Sequence, residues 1–412
     1  MRVLVVGKGG REHALAKKIS QSKQLDRLWI APGNPGMKIQ GFECVPTEKS
    51  EEILSFCKDL HVDLVVLGPE AAILSDLKEK LEAQGISCVA PSKEAAQLEA
   101  SKVFCKNILT NAQLKTASYE VVRDEKTAEA LINQHNFAKP LVLKADGLAQ
   151  GKGVHVCETK EQAETGLKTL AQNYGYPLLL EECLIGKELS AFALCDGEEF
   201  ILLGTACDYK RINSDIFSAN TGGMGAYSPC DFLTEQDEEE ISEIFKKSLK
   251  TMKKQGTPFT GFLFAGLMKT AEGIQVLEFN VRLGDPETQA LLPRIESDFL
   301  ELMVKAQQSR LKGQKIEFKD RKAVHVVAVS QGYPSAQMEL GHDIELPTKI
   351  SEAAEIYFAG VGSKNEKLIN NGGRVLGVTA LAKTREEARQ AAYEEIKKVR
   401  FKGLYFREDI AL

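Results

Sequence analysis

The stretch of sequence that decides the fold is VLEFNVRLGDPETQ, residues 276–289. Apolar and polar side chains alternate over its first half, so on a β-strand Glu278 and Asn280 share one face and Arg282 follows on the same face. A carboxylate beside an amide oxygen supplies the hard ligands that Mg²⁺ prefers when water and nucleotide phosphates complete its shell. The same pair also fits the polar face of an ordinary half-exposed strand.

The residues that follow favour the metal interpretation. Asp285 is predicted to be the N-cap of a helix, with Pro286 as the first helical residue. A helix N-terminus carries partial positive charge and free N–H groups, and it therefore attracts phosphate. Together with the carboxylate and Arg282, this helix end predicts a phosphate site.

The composition describes an ordinary globular protein. The chain has 412 residues, of which 43% are hydrophobic and 27% charged, which is enough for two to four domains. A net charge of -5 argues against a general nucleic-acid binder. No run of about 18 apolar residues and no signal peptide is present, so we expect a cytoplasmic protein without membrane partners. Nine cysteines without a C-x-x-C pair are expected to be buried apolar residues.

The first residues predict a strand, a glycine turn and a helix. A β-branched run over 2–6 leads into Gly7, Gly9 and Gly10, whose backbone N–H groups can approach an anion at the helix N-terminus. Glu12 stands where the dinucleotide fingerprint needs its third glycine, so no NAD site is expected. Arg11 adds a positive charge that suits a terminal monophosphate. A tight turn required only by the fold remains the alternative.

Strands and helices then alternate up to about residue 100, which predicts a doubly wound parallel sheet. We predict strands over 27–31, 62–68 and 86–90 and helices over 49–60 and 71–84. Ligands bind at the carboxyl ends of such strands, and Glu70 follows one of them. Glu70 either accepts hydrogen bonds from sugar hydroxyls or simply complements a helix dipole.

A second unit begins near residue 101 and contains the glycine loop KADGLAQGKGV, residues 144–154. Val154 leads back into a strand, so this loop is a strand-to-strand flap and not a Walker loop. Its glycines let the backbone fold over phosphate oxygens, and its lysines supply charge. The predicted phosphate contacts are Lys144, Gly147, Gly151, Lys152 and Gly153. A flexible hairpin tip is the alternative.

The segment LLLEECLIGKEL, residues 178–189, predicts a strand whose end is suited to bind a nucleobase. The backbone around Glu181, Glu182 and Leu184 offers a donor and an acceptor in a fixed frame, which an adenine can pair with. Glu188 is placed to reach ribose hydroxyls.

The combination of KADGLAQGKGV, LLLEE, NTGGMGAYSP (220–229) and VLEFNVRLGDPETQ resembles the ATP-grasp superfamily. GKGGREHAL, APGNPG, GPEA, QLEASK, TGFLFAGLM and NGGRVLGVTA resemble, more narrowly, the phosphoribosylamine-glycine ligase family, over nearly the whole chain. The resemblance implies an α/β protein with an N-terminal doubly wound domain (1–100), ATP-grasp central domains (101–320) with a mobile ATP-binding lid (117–187), and a small C-terminal α/β domain (321–412).

The resemblance also implies an activity. Glycine would be phosphorylated by ATP to glycyl phosphate and captured by 5-phosphoribosylamine, with Mg²⁺ or Mn²⁺ bound and the enzyme a monomer or weak homodimer. Phosphoryl transfer to a carboxylate needs charge neutralisation more than proton transfer, which agrees with the many lysines in these motifs. Another ATP-grasp carboxylate-amine ligase, or a regulator that binds nucleotide without catalysis, are the alternatives.

The family pattern assigns residues in four groups. Glu278 and Asn280 would bind the metal. Arg282, Lys144 and Lys152 would be catalytic. ATP would contact Lys106, Lys144, Gly147, Gly151, Lys152, Gly153, Glu181, Glu182, Leu184 and Glu188. The substrates would contact Gly9, Gly10, Arg11, Glu70, Asp208, Lys210, Asn220, Gly222, Gly223 and Arg282.

The substrate loop departs from the family pattern in two places. Tyr209 stands where this family usually has a histidine, and IFSA (216–219) stands where a Gly-Pro commonly precedes the asparagine. These departures concern contacts of the substrate loop and not the reaction class. NGGR, residues 371–374, is interpreted as a turn that leads into a strand and not as a ligand contact.

Overall fold

The structure is a computed structural model and describes residues 1–148, 153–215 and 218–412. The N-terminal part is a parallel five-stranded sheet in the order β3-β2-β1-β4-β5, which confirms the predicted doubly wound arrangement. Its strands are β1 (Arg2–Gly7), β2 (Arg27–Pro32), β3 (Glu43–Cys44), β4 (Leu64–Leu67) and β5 (Ser87–Val89). Its helices are α1 (Gly10–Ile19), α2 (Pro35–Ile39), α3 (Ser50–Asp59), α4 (Glu70–Ile73) and α5 (Leu77–Glu82).

The helix predicted over 71–84 is wrong in one respect, because it is two helices, α4 and α5. The hydroxyl of Ser75 donates to the carbonyl of Ala72 at 2.7 Å and accepts from the N–H of Leu77 at 3.2 Å. Side-chain bonds of this kind compete with the helical ladder. The break keeps Glu70 on a short helix directly after β4.

Residues 119–182 form a four-stranded antiparallel sheet with two helices, and we call this unit the lid. The strand order is β6-β9-β7-β8. The strands are β6 (Tyr119–Val122), β7 (Leu141–Ala145), β8 (Val154–Cys157) and β9 (Leu178–Glu182), and the helices are α8 (Glu125–Gln134) and α9 (Lys160–Tyr174). Two helices, α6 (Gln97–Ala100) and α7 (Lys102–Asn111), precede it.

The central part is an eight-stranded sheet in the order β14-β13-β10-β11-β12-β15-β19-β16. Its first five members along the chain are β10 (Lys187–Asp196), β11 (Phe200–Asp208), β12 (Gly225–Ser228), β13 (Thr260–Thr270) and β14 (Gly273–Asn280). Helices α10 (Glu235–Lys254), α11 (Glu287–Leu291) and α12 (Phe299–Gln307) accompany them.

The last part of the chain continues this sheet. Its strands β15 (Lys322–Val329), β16 (Ala354–Phe358) and β19 (Arg374–Ala382) join through the antiparallel pair of β12 and β15. The hairpin β17 (Val361–Lys364) and β18 (Lys367–Asn370) and the helix α13 (Arg385–Ile396) complete it. The sheet therefore crosses the boundary predicted near residue 320, and the domain limits stay a prediction.

Three large groups of buried apolar side chains hold the molecule together, besides one small cluster of alanines. Two of them combine residues from the N-terminal, central and last parts, for example Leu4 with Ile410 in one and Val3 with Tyr357 in the other. The third belongs to the lid alone. We call everything outside the lid the body. The lid is thus the only one of the predicted units that packs around a separate core among the described residues.

The nine cysteines are all free, and seven of them are buried, as expected for small apolar residues. Across the described residues no helix has the length and apolarity needed to cross a membrane.

Candidate active site

The end of β14 carries the proposed metal pair. The side-chain amide of Asn280 lies 3.5 Å from Oε1 of Glu278, so the two oxygen-bearing groups are neighbours, as the alternation predicts. The Oδ1 atom of Asn280 accepts a hydrogen bond from Nη2 of Arg282 at 3.2 Å. A carboxylate, an amide and a guanidinium therefore meet where the strand ends.

Charge keeps Glu278 ionised. Its burial, the largest influence, would raise the pKa, but Lys210, Lys144 and Lys102 outweigh it and hold the pKa of Glu278 below its ordinary value. An ionised carboxylate surrounded by lysines can neutralise a cation that also binds phosphates. No group of three or more His, Cys, Asp or Glu side chains forms a metal cage in the described ranges, and the metal role of Glu278 and Asn280 stays a prediction.

Arg282 is held by two carboxylates of the body. Its Nε donates to Oε1 of Glu70 at 2.6 Å, and its Nη2 lies 3.2 Å from Oε1 of Glu99. Glu99 also accepts the N–H of Val281 at 2.8 Å, so it fixes both the backbone and the guanidinium of this turn. Glu99 was not predicted to lie at the site, and its only signal in the sequence is its place in the motif QLEASK.

On the nucleotide side of the cleft, two lysines form ion pairs with one carboxylate. Oε2 of Glu181 lies 2.9 Å from Nζ of Lys144 and 3.1 Å from Nζ of Lys106, and all three side chains are buried. Lys144 and Glu181 come from the lid strands β7 and β9, whereas Lys106 comes from helix α7. Burial lowers the pKa of Lys106 and the charge of Glu181 opposes that effect. The structure brings these three predicted residues together.

Glu181 and Glu182 point to opposite sides of β9. The other oxygen of Glu181, Oε1, is buried without a hydrogen-bond partner among the described residues. Glu182 instead pairs with Lys139 at 3.0 Å and accepts from the hydroxyl of Ser118 at 3.1 Å. Any contact between Glu182 and a nucleotide would therefore use its backbone. Leu184 is half-buried after the strand.

The predicted flap is a hairpin. β7 and β8 pair antiparallel with Lys144 opposite Val154, and the carbonyl of Gly153 accepts the N–H of Ala145 at 2.8 Å. Lys102 donates to the carbonyl of Gly147 at 3.0 Å, which ties helix α7 to the base of the flap. Gly151 and Lys152 lie outside the described residues, and their roles stay predictions.

A second hairpin, described over residues 208–215 and 218–225, carries half of the residues predicted to bind substrate, and we call it the substrate hairpin. Lys210 pairs with Glu188 on β10. Partial burial of Asp208 is the largest influence on its pKa and raises it to about 7, while the charge of Lys210 opposes the rise. Asn220 forms an isolated antiparallel bridge with Arg211 and is exposed.

Two glycines let the substrate hairpin approach the GDPET turn. A Cβ on Gly223, whose φ is +111°, would lie 2.3 Å from Cδ of Pro286, and a Cβ on Gly222 would lie 3.0 Å from Cζ of Arg374. Side chains at either position would separate the two loops. The NTGG motif is thus required by a close approach and not only by a turn.

Arg374 joins these loops and was not predicted to do so. Its Nη1 donates to the carbonyls of Gly222 at 2.5 Å and Asp285 at 2.7 Å, and its Nη2 lies 3.2 Å from the carboxylate of Asp285. The interpretation of NGGR as a plain turn before a strand was therefore incomplete. The partners lie 89 and 152 residues away, which local pattern cannot indicate.

The predicted N-cap at Asp285 is wrong. Helix α11 begins at Glu287, with Pro286 at the cap position. The carboxylate of Asp285 is taken by Arg374 and by Nε2 of Gln289, which donates at 2.7 Å. A distant partner, Arg374, and a neighbour one turn along, Gln289, therefore prevail over the capping preference.

The glycine turn after β1 packs against the same region. A Cβ on Gly9 would lie 3.5 Å from Oδ2 of Asp285, and one on Gly10 would lie 2.5 Å from Nε2 of Gln289. Arg11 is buried, donates to Glu12 at 2.7 Å and to the carbonyl of Leu283 at 3.2 Å, and lies 3.9 Å from Glu70. Arg11 thus links the N-terminal turn to the GDPET loop, and its predicted contact with substrate phosphate stays a prediction.

The chain matches the family models of phosphoribosylglycinamide synthetase: the N domain over residues 1–99, the ATP-grasp (A) domain over 100–288 and the C domain over 323–412. Proteins named phosphoribosylamine-glycine ligase from Caldanaerobacter subterraneus subsp. tengcongensis and Rhizobium meliloti are 41% and 42% identical to it. Those matches cover 100% of this chain and 99% and 98% of the relatives.

Solved structures agree with these matches. The crystal structure of phosphoribosylamine-glycine ligase from Thermotoga maritima superposes with a TM-score of 0.88 at 35% identity, over 100% of both chains. A biotin carboxylase from Campylobacter jejuni has a TM-score of 0.76 at 14% identity, over 98% of this chain and 92% of that one, and shares the fold alone. The full-length matches at about 40% identity show that the chain belongs to the phosphoribosylglycinamide synthetase family, whose central domain is an ATP-grasp domain.

Proposed function

We propose that this protein is an ADP-forming carbon-nitrogen ligase of purine biosynthesis that joins glycine to 5-phosphoribosylamine. The products are glycinamide ribonucleotide, ADP and phosphate. The observation that carries the proposal is the cleft itself: the Lys106, Lys144 and Glu181 cluster supplies a nucleotide side, and the metal pair Glu278 and Asn280 lies at the end of β14, beside Arg282. The full-length relatives with this name support the choice of substrates.

The first step transfers phosphate. A carboxylate oxygen of glycine attacks the γ-phosphorus of ATP, the bond to the β-phosphate oxygen breaks, and ADP leaves glycyl phosphate behind. This step requires neutralised charge and aligned groups more than a proton acceptor. We assign charge neutralisation to Lys144, Lys152 and Arg282, with Lys106 supporting Lys144 through their shared partner Glu181.

The second step forms the amide. The amine nitrogen of 5-phosphoribosylamine attacks the carbonyl carbon of glycyl phosphate, phosphate leaves with the bonding electrons, and the nitrogen loses a proton. Water must be excluded, because it would hydrolyse the mixed anhydride. The flap between β7 and β8 belongs to the separately packed lid, which suits a cover that closes over ATP. We assign the amine substrate to Gly9, Gly10, Arg11 and Glu70.

The residues fit a divalent cation. Glu278 is kept ionised by lysines, and the amide of Asn280 lies beside it. These two side chains would hold Mg²⁺ or Mn²⁺, which would neutralise the phosphate oxygens of ATP. The adenine would lie near Glu181 and Leu184, where the unpartnered Oε1 of Glu181 can accept a hydrogen bond from an exocyclic amine. We also propose that the enzyme works in the cytoplasm as a monomer or weak homodimer.

An ADP-release assay tests the proposal. ATP, Mg²⁺ and glycine are supplied with and without freshly prepared 5-phosphoribosylamine, and alanine and serine replace glycine as controls. We expect ADP formation only with glycine and the amine together, accompanied by glycinamide ribonucleotide in mass spectra. Equal ADP release with another amino acid would indicate a different carboxylate-amine ligase. Nucleotide binding without ADP release under any of these conditions would indicate a regulator.

A further inference from the structure

The segment Tyr405–Ala411 lies along the back of the substrate hairpin, and we call it the strap. Three of its residues form hydrogen bonds to the hairpin. The hydroxyl of Tyr405 donates to the carbonyl of Ile212 at 3.2 Å, and Nη1 of Arg407 donates to the carbonyl of Arg211 at 2.9 Å. The N–H of Ala411 donates to the hydroxyl of Tyr209 at 2.9 Å.

Arg407 is the central contact of the strap. Only 7% of Arg407 is exposed, and its guanidinium lies 5.1 Å from the centre of the Tyr209 ring. Its Nε and Nη2 donate to the carboxylate of Asp409 at 2.8 and 2.5 Å. A buried guanidinium that stacks on a ring and pairs with a carboxylate holds a fixed position.

The strap is itself anchored to helix α13. The hydroxyl of Tyr393 donates to the carbonyl of Arg407 at 2.5 Å and accepts the N–H of Ile410 at 3.1 Å. Nε of Arg389 donates to the carbonyl of Ile410 at 3.0 Å. The hairpin is therefore connected to a helix of the body through the strap.

Tyr209 connects the strap to Asp208 and Lys210, the neighbouring residues that are predicted to bind substrate. Its N–H donates to the carbonyl of Gly225 at 3.0 Å and its carbonyl accepts the N–H of Met224 at 2.8 Å, so the strand pairing of β11 and β12 continues through it. Successive side chains of a strand point to opposite faces. With Tyr209 directed to the strap, Asp208 and Lys210 are directed to the other face, where Lys210 meets Glu188.

We propose that the strap positions Asp208 and Lys210 for substrate, with Tyr209 and Arg407 as positioning residues. The identity of that substrate rests on the proposed function. The tyrosine that departs from the family pattern thereby gains a role, because its hydroxyl reaches the N–H of Ala411. Neither positioning residue is assigned a contact with substrate.

Steady-state kinetics of the full chain test the proposal. Tyr209→Phe removes one hydrogen bond, and we expect it to raise about fivefold the KM for the substrate that Asp208 and Lys210 bind, which is either glycine or 5-phosphoribosylamine. Arg407→Met removes the stacking cation and its bonds, and we expect a rise of about tenfold or more. Arg407→Lys keeps one donor and should recover part of the loss. The KM for ATP should stay within about twofold of the wild type in each case, because the lid is not touched.

Arg310→Met is the matched control, since Arg310 is an exposed arginine whose guanidinium donates to the side chain of Gln308. It should leave all Michaelis constants unchanged. If Arg407→Met does not fold, Tyr405→Phe and Tyr209→Phe, which lose a single hydroxyl each, carry the test. Unchanged KM values for both glycine and 5-phosphoribosylamine in these variants of an active enzyme would overturn the proposal.

Hydrogen exchange gives a readout that is independent of activity. The amides of Met224 and Thr221 donate within the hairpin, at 2.8 and 2.6 Å. We expect them to exchange about tenfold faster in Arg407→Met, with no change for the lid amides of β7. Unchanged hairpin exchange would overturn the proposal. Faster exchange in a protein that fails the ADP-release assay would support the strap and refute the proposed ligase.

Discussion

The lid and the body are each stabilised by apolar cores of different origin, and the contacts that join them are of another kind. Each has an apolar core, but the body's two cores combine residues from every other part of the chain, whereas the lid's core is its own. Between lid and body run polar contacts, such as Glu181 to Lys106 at 3.1 Å and Ser101 to Asp146 at 3.2 Å. Polar contacts can be exchanged for water and phosphate, so we predict that the lid opens without breaking a core.

The largest effect is expected from the body side of the cleft. Glu278→Gln removes the only charged member of the metal pair, and turnover should fall about a thousandfold while the protein stays folded. The rate of ADP release measures it. Glu272→Gln, at an exposed turn between β13 and β14, is the control. Near-normal turnover in Glu278→Gln would mean that the cation is held elsewhere.

A pair of core substitutions separates lid from body. Leu143 of the lid and Leu263 of the body are both fully buried, so truncation to alanine should cost each core about 3 kcal/mol. In Leu143→Ala we expect faster hydrogen exchange in the lid alone, whereas Leu263→Ala should lower the protection of the whole body. If Leu143→Ala accelerated exchange throughout the chain, the two units would not be separate.

The pH dependence of stability tests how the body is joined. His13 on α1 accepts the N–H of Phe358 at 2.8 Å, and burial, the largest influence, lowers the pKa of His13 to about 4. The folded state therefore favours the neutral ring. Its contribution is complete above pH 6.5, the ordinary value, and is lost as the pH falls toward 4.

At pH 5 this loss should reach about 2 kcal/mol relative to pH 7. Urea unfolding at both values of pH measures it, with His13→Gln as the comparison because glutamine does not titrate. Carboxylates titrate in both proteins. The effect of His13 is therefore the difference between the wild type and His13→Gln in how much the free energy of unfolding changes from pH 7 to pH 5. An equal change in the free energy of unfolding in both proteins would show that His13 does not link protonation to unfolding.

The smallest effects are expected at β9 of the lid. Glu181→Gln should raise the KM for ATP about tenfold, because Lys106 and Lys144 lose their shared counter-charge. Glu182→Gln should change it less than about twofold, because that side chain is half-exposed and pairs with Lys139. A larger rise in the KM for ATP in Glu182→Gln than in Glu181→Gln would mean that the Glu182 face of the strand, and not the Glu181 face, lies toward the nucleotide.

Much of this molecule can be predicted from its sequence where the pattern is local. The parallel sheet, the ATP-grasp family and the flap between β7 and β8 all come from neighbouring residues, and the fold and the family were confirmed. Glu278 and Asn280 were expected to be neighbours because strand periodicity alone brings them together.

What could not be predicted depends on distant partners. Glu99 lies 182 residues from Val281, whose N–H it accepts, and Arg374 lies 152 residues from Gly222. Asp285 has the spacing of a helix cap, yet Arg374, 89 residues away, pairs with its carboxylate. A pattern of single residues does not contain these pairings, because they arise only when the sheet and its loops are assembled.

The pairing of β12 with β15 has a consequence for dissecting this protein. A fragment that ends near residue 320 would lose β15, and the N–H and C=O groups along one side of β12 would have no partner. A bare strand edge is a template for another chain, so such a fragment is expected to aggregate. We therefore expect a protein truncated near residue 320 to be insoluble. The two pieces should give soluble protein only when they are expressed together.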